Sequence, residues 1–192
     1  MGSSNTEIDR YHAFASSTYQ DRNDDWGPWR AFDNNRNTFW HTDRVSYNVN
    51  TGQYGGIHSV NFVNSTGQHT TVKGEFLQLN LPEIIEVAGG ISLTTYEIRG
   101  RHNCCGSPNG RDPNTWYILG WTNGGWNYVD YQSNISFNWQ MRRFEIQNPK
   151  PYSAYMLLVS VAGDPSAPEG SRNSVQVATW NLYKNDNLIS FL

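Results

Sequence analysis

The sequence carries little charge of either sign. Charged residues make up 16 % of the 192 residues, and the formal net charge is -3. Nucleic-acid-binding proteins need clustered lysine and arginine to neutralise phosphates, so the composition predicts that nucleic acid is not a partner. The net negative charge also opposes binding to an anionic membrane surface.

Long apolar runs and separated cysteines are both missing. No stretch approaches the roughly 20 apolar residues that cross a bilayer, and residues 1–14 lack the apolar core of a signal peptide. The two cysteines are neighbours, Cys104 and Cys105. A disulfide between adjacent residues is strained and closes almost no loop, so we expect two free thiols in a reducing compartment. The sequence therefore predicts assembly in the cytoplasm rather than classical secretion, the alternative being that it is a mature or recombinant form.

Signatures of common enzymes are absent too. The sequence has no GxSxG nucleophile elbow, no P-loop and no dinucleotide fingerprint. The cysteine pair has only His102 nearby as a base, and nothing indicates the orienting third group that a catalytic thiol needs. The sequence predicts a protein that is not an enzyme.

Aromatic residues are abundant instead, at 14 % of the chain, with 8 tryptophans and 11 tyrosines. Asn123-Gly124 supplies the positive φ angles of a tight turn, so residues 116–131 should form a β-hairpin. Other segments alternate apolar and polar residues with the period of two that is typical of strands. The pattern predicts an all-β protein with an antiparallel β-sandwich. The strand-like segments are EFLQLNL, TYEIRGR, TWYILGW, RFEIQN, YMLLVSV and SVQVATWNLY.

Three polar segments interrupt the strands, at residues 43–73, 102–114 and 162–173. Segments of this length without structure of their own are commonly binding loops or disordered. The chain ends in an apolar tail that we expect to dock on the body of the protein or on a neighbouring subunit. The apolar residues of this tail are Leu188, Ile189, Phe191 and Leu192.

Seven stretches follow one another in a characteristic order: ASSTY, AFDNNRNTFWHT, GEFLQLNLPE, TYEIRGR, RDPNTWYILGWTNGGWNYVD, FEIQNPKPYSAYMLLVSV and VQVATWNLY. In this order they resemble the discoidin or coagulation-factor C-type domain of the galactose-binding-like β-sandwich superfamily. The resemblance implies a jelly-roll sandwich over residues 15–184, with an insertion around residues 48–73. Residues 1–14 would be an N-terminal extension, and residues 185–192 the tail.

Departures from that family bear on where the protein works. Many secreted members join their two ends by a disulfide, and this chain has no cysteine near either end. The chain looks more like members that assemble inside cells, and it also resembles proteins encoded by large DNA viruses. A structural component of a larger assembly, such as a minor capsid or virion surface protein, is therefore an alternative interpretation.

The resemblance implies a structural calcium ion in the loop FDNNRNT. By position, its ligands would be the Arg30 carbonyl, the Asp33 carboxylate, Asn35 and Thr38, and calcium takes roughly six to eight oxygens. Thr179 stands where the family has a glutamate, and loss of that charge weakens calcium binding. The alternative is a metal-free turn in which Asp33 accepts backbone N–H bonds.

In sugar-binding relatives, one end of the sandwich presents a histidine, arginines and an aromatic ring. The candidates here are His41, Arg101 and Arg111, because imidazole and guanidinium groups bond to sugar hydroxyls. The alternative is that both arginines brace loops by pairing with Asp112, Asp130 or backbone carbonyls. The candidate stacking rings are Trp126, Trp26, Trp29 and Tyr54.

The leading interpretation is a non-catalytic, lectin-like module that recognises glycans through the loops at one end of the sandwich. Its partner would be a carbohydrate or a glycoprotein, and calcium would be a structural ion. The apolar tail leaves a homo- or hetero-oligomer open.

Overall fold

The computed structural model describes residues 4–8, 11–101, 109–138, 140–164, 166–168 and 170–189. Strands dominate these ranges, and none of the described helices is long and apolar enough to cross a bilayer. The helices are two 3-10 turns (Tyr19–Asp21 and Pro28–Ala31), α1 (Asn23–Trp26) and α2 (Glu83–Val87). The strands are β1 (Ser4–Ile8), β2 (Tyr11–Ala15), β3 (Trp40–His41), β4 (Ser59–Val63), β5 (His69–Lys73), β6 (Glu75–Asn80), β7 (Ile91–Ser92), β8 (Thr95–Arg99), β9 (Pro113–Thr122), β10 (Gly125–Gln132), β11 (Arg142–Glu145), β12 (Pro151–Tyr152), β13 (Ala154–Ala162), β14 (Gln176–Val177), β15 (Thr179–Lys184) and β16 (Asn187–Leu188).

Two sheets pack on a shared core and form the sandwich. The larger sheet has the strand order β1-β2-β6-β13-β9-β10-β4-β5, and the smaller has the order β11-β8-β15-β16. Two short ribbons, β7–β12 and β3–β14, complete the described pairings. All of these pairings are antiparallel except that of β4 with β10. The predicted all-β, antiparallel β-sandwich is thus confirmed apart from that one pair.

Strand alternation places one face of each sheet in the main core. In β6, Leu77 and Leu79 are buried there, while Gln78 between them lies on the outer face. From the smaller sheet, Trp180 of β15 enters the same core and is fully buried. Large apolar side chains from both sheets therefore hold the sandwich together.

The hairpin between β9 and β10 forms at the predicted turn. Trp121 pairs with Trp126 across it. Asn123 and Gly124 have φ angles of 51° and 78°, the left-handed pair that a tight two-residue turn requires. The prediction of a hairpin over residues 116–131 is confirmed.

The insertion around residues 48–73 is not the unstructured loop that its polar composition predicts. Its second half forms the hairpin β4–β5, and β4 also pairs with β10. Val60 and Phe62 of β4 are buried against Leu119 on the outer face of the large sheet, where they form a second apolar core. The expectation is corrected because a few well-placed apolar side chains are enough to anchor a short hairpin on an existing sheet.

Both ends of the described chain join the sandwich. β2 pairs with β6, and its Ala13 and Ala15 lie in the main core. The boundary expected after residue 14 therefore falls inside a strand of the domain. At the other end, β16 pairs with β15, and Ile189 is buried in the same core. The tail docks on the body of the protein as far as Ile189, and the residues after it lie outside the described ranges.

Candidate functional site

His41 is held at one end of the sandwich by the short ribbon β3–β14. In this ribbon, His41 lies opposite Gln176 and Trp40 lies opposite Val177. Trp40 is fully buried, and its Nε1–H donates to the Ser17 carbonyl at 3.0 Å. Because Trp40 fixes β3 on the core, the position of His41 is fixed as well.

Arg101 and Arg111 flank residues 102–108, which lie outside the described residues, as does the prediction of free thiols at Cys104 and Cys105. Asn109 brings the two arginines together. The Asn109 side-chain nitrogen donates to Asp112 Oδ1 at 2.7 Å and to the Arg101 carbonyl at 3.4 Å. The Asn109 Oδ1 accepts the Arg111 N–H at 3.0 Å. Gly100 permits this close approach, since a Cβ there would lie 1.8 Å from Asp112 Oδ1. The end of β8 and the start of β9 therefore meet.

Aromatic rings pack around His41. The ring centroids of Tyr19 and Trp26 lie 4.8 Å and 5.9 Å from that of His41. Trp26 also packs against Phe39, with centroids 4.9 Å apart. Tyr19 and Trp26 are only partly buried, so ring surface is available at this end of the sandwich.

Two guanidinium groups lie over these rings. The guanidinium carbon of Arg101 is 4.2 Å from the Phe39 centroid, and that of Arg44 is 4.5 Å from the Tyr19 centroid. At these distances the cation is attracted to the ring face. We refer to the following residues as the His41 cluster: Tyr19, Trp26, Phe39, His41, Arg44, Arg101 and Arg111.

The cluster keeps His41 neutral. Burial lowers the pKa of His41, and three neighbouring positive charges add to the effect, so that it falls from 6.5 to about 3. These charges belong to Arg111, Arg44 and Arg101. The His41 Nε2 lies 3.2 Å from the Ser174 hydroxyl. A neutral imidazole offers one donor and one acceptor, which suits recognition of hydroxyl groups.

The arginines give this end a positive charge. Burial lowers the pKa of Arg111, and the charges of Arg44 and Arg101 lower it further. Within the described ranges, neither Arg44 nor Arg101 forms an ion pair, so both charges can act on a ligand. The Arg111 Nε–H donates to Asn173 Oδ1 at 3.1 Å, a loop-bracing contact of the kind that the alternative interpretation expects.

The two aspartates considered as partners of the arginines, Asp112 and Asp130, bond to other side chains. Burial raises the pKa of Asp112 to about 8, with a further rise from Asp164 and an opposing effect of the Asn109 hydrogen bond. Asp112 is therefore mostly protonated at neutral pH and carries little charge. Asp130 accepts the Tyr96 hydroxyl at 2.6 Å in the interior.

The structure does not bring Trp126 to this site. Trp126 pairs with Trp121 at the far end of β9 from Arg111, roughly 30 Å away at about 3.3 Å per strand residue. The prediction that Trp126 is a stacking ring beside His41 is corrected, because the β9–β10 turn lies at the opposite end of the sandwich.

Of the other predicted rings, the structure places Trp26 in the cluster. Trp29 packs instead under Arg30, whose guanidinium carbon is 4.0 Å from the Trp29 centroid. Tyr54 packs against Tyr47, with ring centroids 5.1 Å apart. Trp26 and Tyr19 are therefore the rings that could stack on a ligand of the His41 cluster.

The predicted calcium loop folds as a turn closed by Asp33. The Asp33 Oδ1 accepts the Asn35 N–H at 2.9 Å, and its Oδ2 accepts the Thr38 hydroxyl at 2.6 Å. The Arg30 guanidinium lies 3.9 Å from the same carboxylate. These contacts match the metal-free turn that the sequence allows as the alternative.

The donor set of this loop fits calcium poorly. The loop does lie beside β15, because Phe32 packs against Trp180 with ring centroids 5.7 Å apart. Thr179 is 2 % exposed and adds no charge, so Asp33 is the single carboxylate of the predicted set and Arg30 opposes a cation there. Within the described ranges, no group of three or more His, Cys, Asp or Glu residues could hold a metal ion. Calcium binding stays a prediction that these residues do not favour.

No protein-family model and no curated protein matches the sequence, but solved structures match the fold. A family 32 carbohydrate-binding module of Clostridium perfringens NanJ, solved with galactose, has a TM-score of 0.58 at 17 % identity, over 94 % of this chain and 100 % of the module. An F5/8 type C domain from Bacteroides fragilis has a TM-score of 0.59 at 16 % identity, over 95 % and 96 %. This chain has a discoidin-like β-sandwich fold.

A third discoidin-like structure extends the comparison. A family 32 module of Clostridium perfringens, solved with GalNAc-β-1,3-galactose, has a TM-score of 0.54 at 15 % identity, over 94 % of this chain and 100 % of that chain. The resemblance read from the sequence is thus confirmed at the level of the fold. Kinship with viral members of the family stays a prediction.

Sequence reasoning missed Tyr19 and Arg44, which belong to the His41 cluster, and Asn109, which joins Arg101 to Arg111. Tyr19 and Arg44 are brought near each other by the Asp43 N–H, which donates to Ser17 Oγ at 3.0 Å. Tyr19 belongs to the ASSTY stretch that supports the resemblance. This stretch helped to predict the fold, but nothing in it indicated that Tyr19 lies beside His41. Arg44 and Asn109 lie in polar segments with no distinguishing pattern.

Proposed function

We propose that the protein is a non-catalytic saccharide-binding domain and that the His41 cluster is its binding site. The observation that carries the proposal is the convergence of neutral His41, Arg101, Arg111 and the Trp26 ring at one end of the sandwich. The similar structures solved with galactose and with GalNAc-β-1,3-galactose support it.

The chemistry of the cluster suits a pyranose. Guanidinium groups donate hydrogen bonds in a fixed fork. The His41 Nε2 already faces the Ser174 hydroxyl, so Nδ1 is the imidazole nitrogen left for a sugar hydroxyl. The faces of Trp26 and Tyr19 can stack on the apolar side of a sugar ring. No covalent step is needed, because hydroxyl groups are bound by hydrogen bonds alone.

The charge of the cluster favours a sugar that carries a carboxylate. Arg44 and Arg101 have no ionic partner among the described residues, and the buried Asp112 is mostly protonated at neutral pH because its pKa is raised to about 8. A carboxylate on the ligand would form charge-assisted hydrogen bonds with these guanidinium groups. Galacturonic acid should therefore bind more tightly than galactose.

Calorimetric titration with galactose and galacturonic acid tests the proposal. Arg101→Ala and Arg111→Ala should each weaken binding about tenfold or more, because a hydrogen bond to a charged group is lost. Arg142→Ala is the matched control, since Arg142 is an exposed arginine of β11 in the smaller sheet and its loss should leave affinity unchanged. A wild-type protein that binds neither sugar at millimolar concentration would overturn the proposal.

The alternative of a structural component in a larger assembly stays a prediction. Ile189 packs into the main core of its own chain, whereas Leu188 is 43 % exposed. The described part of the tail therefore leaves one apolar side chain for contact with another subunit. An intracellular or virion location stays a prediction as well.

A further inference from the structure

The outer face of the large sheet carries a polar and aromatic groove that the His41 cluster does not use. A cavity of about 240 Å³ lies there between the sheet and α2. We call it the Trp126 groove. Its lining includes Gln78, Asn80, Glu86, Trp121, Trp126 and Ser153.

Strand alternation puts these side chains on one face. Leu79 of β6 is buried in the main core, so its neighbours Gln78 and Asn80 lie on the outer face. Trp121 and Trp126 are directly opposite each other in the β9–β10 hairpin. Their ring centroids are 5.2 Å apart, with the planes at 67°, so the pair presents one ring face and one ring edge.

The amides of the groove keep hydrogen-bonding atoms for a ligand. The Gln78 Nε2 donates to Asn80 Oδ1 at 2.7 Å. That bond leaves the Gln78 Oε1 as an acceptor and the Asn80 Nδ2 as a donor, neither of them bonded to another described residue. Amides beside indole rings suit a pyranose, which has hydroxyl groups at its rim and an apolar face.

The groove continues across the sheet in both directions. On one side, a cavity of about 880 Å³ shares Asn80 and Glu86 and reaches His12 of β2. On the other, a cavity of about 420 Å³ shares Trp121 and Trp126 and reaches β4. The path from β2 to β10 crosses β6, β13 and β9, about 19 Å at about 4.8 Å per strand. This length suits several sugar units rather than one.

The charge of the groove is negative. Among the described residues that line the three cavities, Glu83 and Glu86 are the acidic side chains, and no lysine or arginine accompanies them. His12 and His69 line only the two outer cavities, so the described lining of the central cavity has Glu86 as its one titratable side chain. Both glutamates are exposed on α2. Charge complementarity therefore favours a ligand with amino groups over one with carboxylates or sulfates.

The strands beneath the groove have no free edge. β6, β13, β9 and β10 are each paired on both sides, so an extended peptide cannot add to them as a further strand. We infer that the Trp126 groove is a second saccharide site that binds an extended amino-sugar chain. The indole rings stack on sugar faces, the amides bond hydroxyl groups, and Glu86 pairs with an ammonium group. This inference does not depend on the His41 cluster.

Titration with a glucosamine hexasaccharide at mildly acidic pH, where its amines are protonated, tests the inference. Glu86→Gln keeps the shape of an exposed side chain and should weaken binding about threefold, as expected for an exposed ion pair. Trp126→Ala should weaken binding about tenfold by removing a stacking surface. Tyr131→Ala is the matched control, because Tyr131 is 41 % exposed on the same strand, outside the groove, and its loss should leave affinity unchanged.

Two further measurements make the result decisive. Cellohexaose, a neutral chain, should bind the wild type and Glu86→Gln equally well, whereas Arg111→Ala should not change binding of the glucosamine hexasaccharide. The inference is overturned if this hexasaccharide does not bind, or if it binds with the same affinity to wild type, Glu86→Gln and Trp126→Ala. Because Arg111 lies outside the groove, failure here is distinct from failure of the His41 cluster.

Discussion

At the residue scale, burial lowers the pKa of one side chain at one end of the sandwich and raises the pKa of another. It lowers the pKa of His41 to about 3 and raises that of Asp112 to about 8. Both shifts disfavour the charged form, as expected where water is removed. This end of the sandwich therefore combines a neutral imidazole with a protonated carboxyl group, and its charge comes from arginines.

These two groups should give the unfolding free energy a distinctive pH dependence. From pH 3.8 to about 8, folded Asp112 keeps a proton that the unfolded chain loses, so it lowers stability as pH rises. From about pH 3 to 6.5, the unfolded chain binds a proton on His41 that the folded protein does not, so His41 raises stability as pH rises. The two effects oppose each other below pH 6.5. Above it Asp112 acts alone, at up to about 1.4 kcal/mol per pH unit.

Urea unfolding of two variants separates these contributions. His41→Gln should gain stability relative to the wild type as pH falls below 6.5, because the opposing histidine effect is gone. Asp112→Asn should lose the decline in stability between pH 6.5 and about 8. Curves of stability against pH that run parallel for the wild type and both variants would contradict the assigned pKa shifts.

At the element scale, the hairpin β4–β5 changes the outer face of the large sheet. It covers Leu119 and its neighbours with Val60 and Phe62, while the region around Trp121 and Trp126 keeps its cavities. The boundary between the second core and the Trp126 groove is thus set by where this hairpin packs. The hairpin β4–β5, whose composition predicts a polar loop, therefore determines which part of the outer face of the large sheet remains uncovered.

Phe62→Ala should test the anchoring role of this hairpin. Phe62 is 1 % exposed, and truncating a buried phenylalanine costs about 3–5 kcal/mol of unfolding free energy through lost burial and the cavity left behind. Ile57→Ala is the control within the same insertion, since Ile57 is 75 % exposed and should cost about 0.5 kcal/mol or less. Equal effects of both changes in urea unfolding would show that the hairpin is not anchored through Phe62.

At the scale of the whole molecule, the strand topology places side chains of opposite charge at the two ends of the sandwich. The His41 cluster carries arginines where β8 ends and β9 begins. The Trp126 groove carries Glu86 near the other end of β9. The same topology brings the Asp33 turn beside β15, through the contact of Phe32 with Trp180. This aromatic contact joins the first quarter of the chain to its last long strand.

Calcium should therefore contribute little to stability. Asp33 already accepts hydrogen bonds from Asn35 and Thr38 and lies beside Arg30, so an ion would have to displace these contacts with one carboxylate in its set. Thermal unfolding in millimolar calcium and in excess chelator should give midpoints within about 2 °C of each other. A calcium-dependent rise well beyond that would show that the loop rearranges into an ion site.

Local pattern alone located much of the fold. The alternation in β6 and the Asn123-Gly124 turn predict their own structures, because each depends on neighbouring residues in sequence. The resemblance also indicated His41, Arg101 and Arg111, and all three lie at one end of the sandwich.

Which side chains meet depends on how the strands are arranged in the folded protein. Trp126 lies far from His41 because β9 runs the length of the sheet between them, and no local pattern encodes the end at which a strand starts. The two arginines meet through Asn109 and the absence of a Cβ at Gly100. Strands and turns could be predicted from local sequence, since they follow from periodicity and backbone preference. The sites were decided by topology, because they join residues that are distant along the chain.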